Sequence, residues 1–72
     1  MNEAEAKLVR MAGEIHQFFR HQGDASYAAA ANHIRQFWSP VMRADFVNVV
    51  GRSRGGVSLE IKRISAELAN GS

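Results

Sequence analysis

A chain of 72 residues with no cysteine is near the size at which one hydrophobic core yields only about 3–5 kcal/mol, and it has neither disulfides nor thiolate metal sites to supplement that core. Hydrophobic residues at 46% against 22% charged exclude a disordered tail and predict one folded domain over residues 1–72, marginal by itself, whose remaining source of stability is a partner chain. Nine Lys and Arg face seven Asp and Glu, a formal charge of +2, and no third of the sequence forms a basic block, so the charge balance argues weakly at best for nucleic acid.

The N-terminal MNEAEAKLVR is acidic and lacks the apolar region of a signal peptide. No apolar run approaches the roughly 20 residues that span a bilayer, so neither secretion nor membrane insertion is expected. From Asn2 to His21 the residues Ala4, Leu8, Met11, Ile15 and Phe18 recur at spacings of four and three, one face of a helix. Asn2 followed by Glu3 and Glu5 suits its start, and His21-Gln22-Gly23 its end. Phe19 lies about 100° further round and widens the stripe into an aromatic edge.

Asp24 is the expected cap of a second helix with Tyr27, Ala30, Ala31, Ile34, Phe37 and Trp38 on its apolar face, and Ala28 to Ala31 keep that helix thin enough for close approach. Ser39 followed by Pro40 predicts a corner and a third-helix start, because Ser caps and Pro suits the first helical position. The third segment, residues 40–50, carries Met42, Phe46, Val49 and Val50 on one side. FVNVV within it also suits a strand, but helix is the preferred reading. Gly51 is the expected stop, RSRGG a basic loop, and Ser58 the cap of a last helix bearing Val57, Ile61, Ile64 and Leu68. The fold class is therefore all-α, a small bundle of three to four short helices.

The chemistry-bearing patterns fail at required residues. GRSRGGVS, residues 51–58, matches a phosphate-binding loop except that Val57 replaces the lysine that neutralises phosphate, and the chain is too short for the sheet that presents such a loop. It reads as a helix connection. His16 and His21 are five apart and point about 140° away from each other, unlike a metal pair. With His33 they read as solvated or capping residues, and Glu14, Glu60 and Glu67 are scattered over polar faces. No catalytic, cofactor-binding or metal-ligating set emerges. Arg35, Arg43, Arg52, Arg54, Lys62 and Arg63 keep open an alternative, a small basic helical nucleic-acid-binding or regulatory module, although no turn-plus-recognition-helix pattern accompanies them.

The aromatic and arginine cluster in HIRQFWSPVMR, residues 33–43, is too rich for a minimal core alone. Trp and Arg are enriched at interface hot spots. The expected partner-binding residues are Phe18, Phe19, Arg35, Phe37, Trp38, Pro40, Met42 and Arg43. On this reading Trp38 is the anchor, the arginines are its rim, and the proline stiffens the corner that aims it.

IHQFF at Ile15 to Phe19, the alanine-rich second helix and HIRQFWSPVMR together resemble the delta subunit of NAD-dependent, molybdenum-containing formate dehydrogenase, over Ile15 to about Val50. The resemblance implies a non-catalytic accessory subunit that assembles with and stabilises the catalytic (alpha) subunit of a cytoplasmic complex. It also implies that the molybdenum pterin cofactor, iron–sulfur clusters, FMN and NAD reside in partner subunits and none in this chain.

Overall fold

A computed structural model describes residues 2–53 and 55–70. Four helices run in chain order: α1, Glu3–Phe19; α2, Ala25–Phe37; α3, Pro40–Arg52; and α4, Leu59–Asn70. No strand occurs among the described residues, so FVNVV is helical, with packing overriding its β propensity.

The boundaries follow from local chemistry. Asn2 accepts from the Glu5 N–H at 2.8 Å while the Asn2 N–H donates to Glu5 Oε1 at 3.0 Å, a reciprocal capping box that satisfies two otherwise orphaned donors. α1 tightens into a single 3-10 turn, Arg20–Gln22, and ends at Gly23, whose φ of 62° favours glycine. Ser39 accepts from the Met42 N–H at 3.2 Å, and Pro40 occupies the first turn of α3. Ser58 Oγ accepts from the Ile61 N–H at 3.3 Å and starts α4.

α2 starts after Asp24 as expected, but that cap's side-chain bond and the expected end of α3 are corrected. Asp24 has helical φ and ψ and no side-chain capping bond, because the Ser26 N–H already donates to the Gly23 carbonyl at 3.0 Å. Gly51 lies inside α3, which continues to Arg52, and the Ser53 N–H closes its end on the Val50 carbonyl at 3.2 Å. The connection to α4 therefore begins two residues later than expected; the left-handed turn is at Gly55, φ 88°, and Arg54 lies outside the described residues.

α2 packs against α1 and α4, while α3 packs against α4 and α1. Ala12, Ala30 and Ala31 are fully buried at these contacts, and such small side chains permit close helix approach. Ile34, Phe46, Ile61, Ile64 and Leu68 fill the centre with Trp38 and Val50. The radius of gyration, 10.9 Å, meets the roughly 11 Å expected of a compact domain of this length.

One polar pair enters the interior. Ser26 is 2% exposed and its Oγ lies 3.1 Å from His16 Nε2. The His16 ring stacks on Tyr27 at 5.0 Å, and the Arg63 guanidinium lies 4.1 Å from the centre of the same Tyr27 ring. His16 is thus a half-buried strut between α1 and α2 rather than the solvated or capping residue expected.

Candidate partner-binding surface

α1 and α2 lie side by side, and their outer edges form an open groove of about 530 Å³ whose lining includes Met11, Ile15, Phe18, Phe19, His33 and Trp38. His33 and Phe37 are one helical turn apart on α2 and therefore share a face. Their rings stand 4.6 Å apart, and Phe19 joins from α1 with its ring 6.1 Å from His33. The outcome is a surface row, Phe19–His33–Phe37, rimmed by Phe18. Phe18 is 82% exposed and Phe37 70%.

All four aromatics of the two pairs were expected at the partner-binding surface, and the structure divides each pair between solvent and core. Phe19, expected at the edge, packs partly buried against the core, whereas Phe18, assigned to the buried stripe, points outward. Phe37 and Trp38 were both placed on the apolar face of α2 and among the partner-binding residues; Phe37 is exposed, whereas Trp38, expected as the anchor, is only 7% exposed. The Trp38 ring meets Phe46 edge-on, with centroids 5.7 Å apart at 87°, a geometry worth about 0.5–1.5 kcal/mol beyond area burial. The cause is the corner. Trp38 leaves the helix with extended backbone, φ −95° and ψ 147°, which turns its indole under α3 and leaves only an edge at the floor of the groove.

The other expected partner-binding residues are dispersed. Pro40 is exposed at the start of α3, and Met42 packs partly buried against the core. Arg35 is tied down, donating to Asn32 Oδ1 at 2.8 Å and to the Glu67 carbonyl at 2.6 Å. It therefore caps the C-terminal turn of α4, where a cation is favourable. Arg43 is half-buried beside a different groove, between α3 and α4. His33, expected to be solvated or capping, is half-buried in the lining of the aromatic groove, and Glu14 is exposed, as expected, at the same groove. The i, i+4 spacing of His33 and Phe37 was the available signal.

The arginines considered for phosphate binding are likewise drawn apart. Arg52 donates to Glu5 Oε2 at 2.7 Å, the one ion pair among the described residues. Arg35 holds α4, and Arg63 lies over Tyr27. The Asn2 N–H first, and then the Arg52 guanidinium, hold the Glu5 carboxyl below its ordinary pKa. No group of three or more His, Asp or Glu converges as a metal site among the described residues, and no helix among them is long and apolar enough to cross a membrane.

A family model described as NADH-dependent formate dehydrogenase delta subunit FdsD matches residues 7–66. The chain belongs to this family. The match spans most of α1 through most of α4, so the aromatic row and the WSP corner both lie within it. No curated protein and no solved structure matches the chain.

Proposed function

We propose that this delta subunit is a non-catalytic accessory chain of a cytoplasmic formate dehydrogenase, and that it stabilises the catalytic alpha subunit by docking the α1–α2 groove onto it. The carrying observation is the exposure of Phe18 and Phe37, 82% and 70%, on a domain whose core is already filled. Large aromatics left in water around an apolar groove mark an interaction surface, and they bury much area with few torsions to immobilise.

The residues present do not suit the complex's cofactors. The chain has no cysteine to hold an iron–sulfur cluster, and the connection before α4 lacks the phosphate-loop lysine. The molybdenum pterin cofactor, the clusters, FMN and NAD are accordingly assigned to partner subunits, and this chain's own contribution is packing.

Affinity purification of the tagged chain from its native host, with subunits identified by mass spectrometry, tests the reading. The catalytic subunit is expected in stoichiometric amount, surviving moderate salt as an apolar interface does. Deleting the chain is expected to lower the yield of intact catalytic subunit. Recovery of the chain alone, or with nucleic acid released steeply by salt, would contradict the proposal.

A further inference from the structure

Arg35 and Arg43 flank a second groove, about 530 Å³, between α3 and α4, floored by Val47 and Leu68 with Ala44 on its lip. It is turned away from the aromatic row, since Arg35 stands about 200° round α2 from His33. No carboxylate among the described residues lines it. Arg35 is held in place by its bonds to Asn32 and the Glu67 carbonyl, which use two of the five donors of a guanidinium. The Arg43 side chain has no hydrogen bond or ion pair among the described residues. It also projects from the start of α3, whose first turn carries no acidic residue. A cation there adds to the positive end of the helix dipole, so this end of the groove carries a positive potential that no described residue of its lining neutralises.

We infer that this groove is a second docking site, taking a segment of a partner subunit that presents a carboxylate beside an apolar side chain; the inference rests on the accessory-subunit reading above. The carboxylate meets Arg43, where a bidentate pair is available, with Arg35 already oriented beside it. The apolar neighbour covers Leu68 and Val47. Charge complementarity selects the acid, and the apolar floor selects protein over a phosphate backbone, whose binding calls for a longer track of cations.

The test uses the full chain within its assembled complex, with Ala44, exposed on the groove lip, replaced by photoreactive benzoylphenylalanine, and a parallel sample with the same replacement at Phe37. The Ala44 probe is expected to label a partner-subunit peptide containing Asp or Glu next to an apolar residue. Arg43→Glu should lower that adduct about tenfold or more, as charge reversal at an interface pair does, without changing the Phe37 adduct. Reversing the mapped carboxylate to Arg should restore it. If only the Phe37 probe labels the partner, or the Ala44 peptide has no acid, the second site is refuted and the accessory role stands. A nuclease-sensitive Ala44 adduct refutes the protein occupant, and failure of both probes overturns the accessory reading itself.

Discussion

Phe37 and Trp38 are adjacent in sequence and opposite in the fold. Phe37 stands in solvent beside His33, whereas Trp38 closes on Phe46 in the core. Phe18 and Phe19 divide the same way on α1. The two regions share their chemistry and differ only in which side of α1 and α2 another helix covers: α3 and α4 occupy the inner side, and no other helix among the described residues occupies the outer one. On the proposed function, aromatic richness in this small helical domain serves two separable ends, and a substitution on one side need not be felt on the other.

The largest effect belongs to the buried side. Phe46→Ala or Trp38→Ala should cost about 3–5 kcal/mol, which is the whole stability of a domain this small. Circular dichroism of either isolated variant should show the helices largely lost at 25 °C. An isolated Trp38→Ala chain that melts like the parent would return Trp38 to the surface and erase the contrast with Phe37.

A smaller change sharpens it. Ser39→Ala removes the cap that directs the corner and should cost about 1 kcal/mol, lowering the melting temperature by roughly 4–8 °C. Because that corner turns the indole inward, tryptophan fluorescence should shift toward that of a more hydrated ring. An unchanged spectrum would mean that packing on Phe46, rather than the corner, decides where Trp38 points.

The smallest effect is remote from both regions. Glu5→Gln keeps a side-chain acceptor for the Asn2 N–H but removes the pairing with Arg52. A carboxyl whose folded pKa is lowered stabilises the fold above its unfolded pKa, and that contribution disappears as pH falls through the lowered value. Parent and variant should thus differ slightly in melting temperature near neutrality and converge in acid. A gap that widens in acid would contradict the ion pair.

The helices and most of their caps were legible because each depends on a few adjacent residues: Asn2 with Glu5, Ser39 with Pro40, and Ser58 ahead of α4. The division of the aromatic pairs was not. Neighbours on a helix are about 100° apart, so Phe18 and Phe19 both fall at the margin of the stripe, and the positions of α3 and α4 choose between them. Ser26 escaped notice for a similar reason. A buried hydroxyl is tolerated only with a partner, and His16 comes from another helix. Likewise Arg35 read as interface material because the carbonyl it caps is 32 residues away.

The central claim is that the outer aromatics serve assembly and the inner ones the fold. The double variant Phe18→Ser, Phe37→Ser tests it most directly, measured by thermal melting of the isolated chain and by retention of the catalytic subunit on a column bearing that chain. The melting temperature should stay within the few degrees that exposed substitutions of about ±0.5 kcal/mol each produce. Binding to the catalytic subunit should weaken by at least about 2 kcal/mol, roughly thirtyfold, as hot-spot truncations do. A variant that melts early, or that melts normally and still holds the catalytic subunit at parental affinity, would contradict the account.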